Sequence, residues 1–288
     1  MADQMRPRRS VLYMPGSNDR ALEKAKSLPA DSLILDLEDA VAPDAKPEAR
    51  ALVTQAVKAG GYGPREIVIR MNGLETQWGA EDLAAIIEAN PDAVLVPKVS
   101  SVEDVVKIAN RLEGTEIAIW SMIETPRAFL HAEEIALAHS RQQAWVMGTN
   151  DLVKETRAAH VPGRAPLTAA LSLAVLAGRM GNLVLLDGVY NDIKNEQGFA
   201  AECEQGLQFG FDGKTLIHPS QLEPANRIFA PTEDEVAFAR AIIAAFDEPD
   251  NQGKGVLKVE GKMVELLHRD QARRTVAMAE AIAARAEG

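Results

Sequence analysis

SLILDLEDAVAPDAKPEARALVTQAVKAGGYGPREIVIRM, residues 32–71, opens on an apolar run that breaks on three acids, passes through a helix-like stretch and closes on a second apolar run. Runs rich in Val, Ile and Leu that alternate with helical patterns predict βαβ units and a parallel sheet. The rhythm continues in both directions. Strand-like runs are SVLYM (10–14), SLILDL (32–37), EIVIRM (66–71), AVLVPKV (93–99), EIAIWSMI (116–123), AWVMG (144–148), LVLLDGV (183–189) and KTLIHP (214–219). Helical stretches fall near 19–27, 46–59, 79–89, 101–112, 126–138, 166–181 and 195–209. Eight strands with intervening helices in roughly 220 residues match an α/β fold of the TIM (β/α)8 barrel type, for which ~250 residues is typical. An open doubly wound sheet is the alternative, and no GxGxxG supports it.

After Pro219 the pattern changes to a short helix, a helix at 232–246, the polar break DEPDNQGKG (247–255), a hairpin-like VLKVEGKMVE (256–265) and a last helix at 268–286. The expected division is a barrel over 1–219 and an appendage over 220–288 that packs on its own barrel or on a neighbouring subunit. Forty-two acids against 31 Lys and Arg give a net charge of −11, which argues against a nucleic-acid partner bound through phosphates. A single cysteine, Cys203, excludes an internal disulfide and fits a reducing compartment. The basic start MADQMRPRRS is followed by no apolar secretory segment, and no run approaches the ~18 apolar residues of a membrane helix. A cytoplasmic enzyme with no membrane partner is expected.

In such a barrel the active site lies at the C-terminal ends of the strands. There the second strand ends in Asp36, Glu38 and Asp39, the third carries Arg70 and Asn72, and the fourth ends at Lys98. The fifth runs into Glu124, the sixth into Asn150 and Asp151, and the eighth into His218. Glu124 and Asp151, on adjacent strands, would repel unless a cation lies between them. Mg²⁺, held by one or two carboxylates with water and substrate completing the shell, is the natural filler. The alternative is that both acids cap helices, with Asp151 paired to Lys154. PGSNDRALEKA (15–25) reads as a turn and a helix capped by Ser17 or Asn18. Free amides there, with Lys24 a turn further on, could bind phosphate; plain capping explains the same residues. GKT at 213–215 is not a P-loop, because Gln208 stands where the motif needs Gly and a strand follows.

RSVLYMPGSNDRALEKA, LILDLEDAVAPDAKPEAR, IVIRMNG, VPKV, MIETP, MGTNDL and FDGKTLIHPSQ, in this order along nearly the whole chain, resemble the CoA-ester lyases that include the citrate lyase beta subunit and malyl-CoA lyase. The resemblance implies a TIM barrel, bound Mg²⁺ (or Mn²⁺), an acyl-CoA substrate and a homotrimer or homohexamer whose C-terminal segment covers a neighbour's active site. It makes Glu124 and Asp151 the metal ligands, with Asp36, Glu38 and Asp39 organising waters around the metal. Arg70 becomes the cation that holds an acyl oxygen. Tyr13, Asn18 and Lys24 fall at the CoA contacts, although some members have Arg at the Asn18 position, and Lys98, Asn150 and His218 fall around the substrate.

In many members an Asp in a GKMID-like stretch moves the proton across the subunit interface. Here the stretch is GKMVELLH, and the position holds Glu265. That ending, with VMGTNDL and LLDGVYN, looks similar to the (3S)-malyl-CoA thioesterase branch. Thioester hydrolysis is therefore expected, with carbon–carbon lysis to acetyl-CoA and a 2-oxo acid, or action on a carrier-protein thioester, as alternatives. Metal-dependent aldolases acting on pyruvate-type substrates share the barrel and the acidic pair but need no CoA-contacting segment.

Overall fold

The protein is described by a computed structural model over residues 5–286. Eight parallel strands close a barrel in sequential order: β1 Ser10–Pro15, β2 Ser32–Asp36, β3 Glu66–Arg70, β4 Ala93–Val96, β5 Ala118–Ile123, β6 Gln142–Met147, β7 Val184–Asp187 and β8 Gly213–Leu216. All eight lie where the apolar runs predict them. The TIM barrel is therefore the observed fold.

Alternation along each strand builds two apolar layers. Leu33, Leu35 and Leu37 join the large outer layer between strands and helices, whereas Ile34 joins the inner cluster with Val11, Val68, Leu95, Trp120 and Val146. The barrel floor is closed by charge. Arg8 makes a bidentate pair with Glu66 at 2.6 and 2.7 Å, lies 5.4 Å from the Trp120 ring centroid, and shares Glu66 with the Ser32 hydroxyl.

The helices differ from expectation in two places. The stretch 126–138 is broken into Pro126–Leu130 and Ala132–Ala136, with His131 leaving helical geometry between them. A helix at Thr149–Thr156 falls outside the helical stretches read from the sequence, where only the capping alternative for Asp151 points to one. Its eight residues carry only two apolar side chains, Leu152 and Val153, and its cap is Gly148 without a side-chain bond, so periodicity and capping signals are both absent.

Residues Arg8–Phe229 form one compact unit, ending beyond the expected 219 because Leu222, Ala225 and Phe229 of the following segment belong to the barrel's outer core. The second unit contains helix Glu233–Asp247, a hairpin of β9 Val256–Val259 and β10 Lys262–Glu265, and helix Leu266–Ala286. Glu260 and Gly261 both take positive φ (48° and 83°), which matches a two-residue primed turn and fixes the β9–β10 register. Phe246, Ile242, Val259 and Val264 form this unit's own core.

Beneath the barrel mouth, Asp187 at the end of β7 is fully buried with Lys214 of β8. Lys214 Nζ donates to Asp187 at 3.0 Å and to Glu202 at 2.8 Å, and Arg164 Nη1 donates to both Asp187 oxygens at 2.7 and 2.8 Å. Burial alone would raise the Asp187 pKa, but the charges of Lys214 and Arg164 outweigh it and hold the carboxyl below its ordinary value. The neighbouring Cys203 is buried and its thiol is pushed up to about 12, chiefly by burial, so it presents no thiolate.

Asp187→Asn leaves Lys214 and Arg164 to share Glu202 as their one remaining carboxylate in this cluster, and is expected to cost about 3–5 kcal/mol, read as a lowered urea midpoint. A carboxyl with a depressed folded-state pKa contributes stability above its unfolded pKa of ~3.9 and loses it as pH falls through the folded value. Wild-type stability should therefore fall more steeply than that of Asp187→Asn in urea titrations below about pH 4.

Candidate active site

The acids that break the second strand have an immediate purpose. Asp36 and Arg70 are direct neighbours in the β2–β3 register and both face the barrel interior. Arg70 Nε and Nη2 donate to the two Asp36 oxygens at 2.7 and 2.6 Å. Its third nitrogen, Nη1, lies 2.8 Å from Glu38 Oε2 and 3.5 Å from Asp39 Oδ2. The guanidinium also sits 5.0 Å from the Tyr13 ring centroid. Asp36 accepts further bonds from the amides of Glu38 (2.8 Å) and Ala40 (3.1 Å), which wraps the chain after β2 around its carboxylate.

Lys46, from the next helix, locks this turn from outside. Its ammonium donates to the carbonyls of Leu37 and Glu38 at 3.0 and 2.8 Å and lies 5.0 Å from the Trp78 ring centroid. Asn72 Nδ2 donates to the Leu37 carbonyl at 2.8 Å. The sequence reading passed over Lys46, whose only signal was a lysine opening the helix seven residues beyond the last of the acids. It also missed Asp187, hidden inside an apolar strand.

Glu124 leaves β5 nearly fully buried, and its Oε1 accepts the backbone N–H of Lys98 at 2.8 Å. The helix that follows is capped by Thr125, so Glu124 is not a cap. Burial first, then the charges of Glu38 and Asp151, push the Glu124 carboxyl up to about 8, against the Lys98 amide, which lowers it. Gly148 gives this carboxylate room: a Cβ there would lie 2.3 Å from Glu124 Oε2 and 2.4 Å from its Cβ. Asp151 stands in the first turn of helix Thr149–Thr156, and among the described residues no ion pair joins it to Lys154.

Asp36, Arg70, Glu124, Gly148 and Asp151 line a cavity of about 320 Å³ at the barrel mouth, together with Tyr13, Asp39, Met122, Thr149, Asn150 and Ile217. Four of the lining side chains are carboxylates, Asp36, Asp39, Glu124 and Asp151, and Arg70 is the one cation among them. Such a wall calls for added positive charge. Among the described residues no group of three or more His, Cys, Asp or Glu is arranged to hold a metal. Glu124 and Asp151 therefore offer a two-carboxylate, oxygen-only site, which fits Mg²⁺.

Other candidates are placed differently. Asn18 caps helix Asp19–Ala25 by accepting the Ala21 amide at 3.1 Å, and Lys24 lies in that helix's last turn; neither lines the cavity. His218 turns to Ser220, 2.8 Å from its hydroxyl, and it is Ile217 that reaches the cavity. Asn150 pairs with Asn191, its Oδ1 accepting at 2.8 Å. Glu265 ends β10 in the second unit, exposed, and its amide donates to His268 Nδ1 at 2.9 Å.

The family described as HpcH/HpaI aldolase/citrate lyase matches residues 9–219. The chain belongs to this family. The match spans all eight strands and every residue of the cavity. A second family, the C–C bond lyases of the TIM-barrel fold, matches residues 168–283. Among curated members, the (3S)-malyl-CoA thioesterase of Cereibacter sphaeroides (strain ATCC 17029) is 51% identical over 99% of both chains. The citrate lyase subunit beta of Escherichia coli K12 is 35% identical over 96% of this chain and 94% of its own. Among solved structures, the CitE protein of Mycobacterium tuberculosis, a complex with magnesium, acetoacetate and coenzyme A, is 27% identical with a TM-score of 0.77, covering 94% of this chain and 97% of its own. These relatives mark the chain as an enzyme of the family.

Gly148→Ala drives a methyl into the Glu124 carboxylate. The expected result is Mg²⁺ or Mn²⁺ affinity weakened by roughly tenfold or more, as for loss of an orienting partner of a ligand. Titration calorimetry against the folded variant checks it.

Proposed function

We propose that this chain is a divalent-cation-dependent enzyme that hydrolyses the thioester of a malyl-CoA-like 3-hydroxyacyl-CoA, releasing the free acid and CoA. The observation that carries the reading is one cavity in which a carboxylate pair, Glu124 and Asp151, shares the wall with a guanidinium held rigidly by Asp36. The 51% identity to a (3S)-malyl-CoA thioesterase over the full chain supports hydrolysis as the outcome.

Glu124 and Asp151 would hold Mg²⁺, or Mn²⁺ in its place. Bound there, the cation supplies positive charge where negative charge develops on the acyl oxygens. Arg70 is pre-oriented by two bonds to Asp36 and so orients the acyl group without reorganising during reaction. Tyr13 lies on the same wall, and burial pushes its hydroxyl well above the usual range, so it stays protonated and can donate to a substrate oxygen. Glu265 is the proton-moving carboxylate, supplied across the interface of a homotrimer or homohexamer, and it takes a proton from the attacking water. Asn18, Lys24, Asn150 and His218 are the proposed contacts of the CoA portion and acyl group, whereas Lys98, which does not line the cavity, acts on the site through Glu124 and Glu38. The barrel unit and the C-terminal unit would thus divide binding from proton transfer. A single buried cysteine supports a cytoplasmic setting.

Carbon–carbon lysis is the second reading, favoured by the match of residues 168–283 to the C–C bond lyases and by the citrate lyase beta relatives. The same charges would serve an enolate there.

Incubation of the purified protein with malyl-CoA and Mg²⁺ is expected to yield malate and free CoA; glyoxylate and acetyl-CoA would instead establish the lyase reading. Glu265→Ala is expected to lower kcat by a factor of at least 10² while Mg²⁺ affinity is retained. Full turnover by that variant would remove Glu265 from the chemistry.

A further inference from the structure

Lys98 is a lysine held in a conformation that lysine disfavours. After β4 its backbone takes φ of 53°, in the left-handed region where Gly, and to a lesser degree Asn and Asp, are ordinarily found. The same residue makes two bonds to two different acids of the site. Its N–H donates to Glu124 Oε1 at 2.8 Å, and its Nζ donates to Glu38 Oε1 at 2.9 Å. The Glu38 carboxylate meets Arg70 through its other oxygen, at 2.8 Å. The Lys98 carbonyl in turn accepts the Ser100 hydroxyl, which lies 2.7 Å from Thr125 Oγ1, the cap of the helix after Glu124.

Strain of this kind persists only where the surroundings over-determine it, and it concentrates at functional sites. At Lys98 the direction of the amide depends on the backbone turn, so the left-handed residue is what aims an N–H at Glu124. One carboxylate oxygen is thereby fixed, and the other packs into the place a side chain at Gly148 would take. The ammonium does a separate task, anchoring Glu38 against Arg70.

We infer that Lys98 is a positioning residue whose strained backbone, rather than its charge, orients Glu124 for the divalent cation, while its side chain orients Arg70 through Glu38. The inference rests on the metal reading above and adds to it a residue that touches neither the cation nor the reacting atoms.

Backbone and side chain can be separated by substitution. Lys98→Gly keeps the N–H and accepts positive φ, but removes the ammonium. Lys98→Val also removes the ammonium, and its branched Cβ resists positive φ. Lys98→Ala, unbranched, is a milder form of the same perturbation should the valine variant fail to fold. Folding is checked by circular dichroism and thermal melting, and cation affinity by calorimetry with Mg²⁺ and by the loss of the free Mn²⁺ resonance.

The expected result is that Lys98→Gly binds either cation within about threefold of wild type, whereas Lys98→Val binds roughly tenfold or more weakly. Lys98→Gly should show its defect in KM for the CoA ester instead, because Glu38 loses the ammonium that anchors it against Arg70. Equal affinity in wild type and Lys98→Val, or Lys98→Ala where that variant replaces it, would overturn the inference. So would a loss in Lys98→Gly as large as in Lys98→Val. Failure of the wild-type protein itself to bind either cation would overturn the metal reading, and this inference with it.

Discussion

A buried guanidinium is tolerated only when its charge and its donors are met, and the mouth of this barrel is organised around meeting those of Arg70. Parallel register sets Asp36 directly beside it, so the two side chains meet as a planar fork on a planar acceptor. The remaining nitrogen is taken by Glu38, and the chain after β2 must curl back to bring Glu38 there. Two amides from that curl close on Asp36, and Lys46 and Asn72 hold its carbonyls from behind. One ion pair thus explains a loop, an adjacent helix start and an asparagine.

Satisfying Arg70 leaves the rest of the cavity in charge deficit. Asp39 shares Arg70 at 3.5 Å, Glu124 and Asp151 face the same space with no ion pair among the described residues, and Glu124 responds with a carboxyl raised to about 8 by burial and by its acidic neighbours. A hard divalent ion removes that imbalance more completely than a further side chain could, since it brings two charges without a stem to pack. The same wall would then present a fixed guanidinium and a cation to the two ends of a small acyl oxygen array, as the proposed chemistry requires.

Charge elsewhere in the barrel is kept away from this balance. The floor is closed by Arg8 and Glu66, the middle is apolar around Ile34, Val68 and Trp120, and Asp187 with Lys214 and Arg164 forms a sealed cluster under β7 and β8. Because the apolar layer excludes water, each cluster is neutralised locally, and substitutions in one are expected to act on stability without retuning another.

The alternation of apolar runs and helical stretches was sufficient to place all eight strands, because burial on both faces of a parallel strand leaves a run that periodicity detects directly. The acid-ended strands also located the cavity, since a barrel exposes its chemistry only at strand ends. What the linear chain concealed were relations across it. That Asp36 spends both oxygens on Arg70 depends on strand register. That Glu124 is steered by a backbone amide at 98 depends on a dihedral angle, which no side-chain pattern encodes. Asp187 was missed because its partners, Lys214 and Arg164, are distant in sequence, Lys46 because bonds to backbone carbonyls leave no side-chain pattern, and the short helix carrying Asp151 because it shows neither apolar periodicity nor a side-chain cap. Fold and site were thus written in local hydrophobic pattern, while the orientation of each functional group was decided by tertiary contact, where directional bonds and local charge balance act between residues the chain keeps far apart.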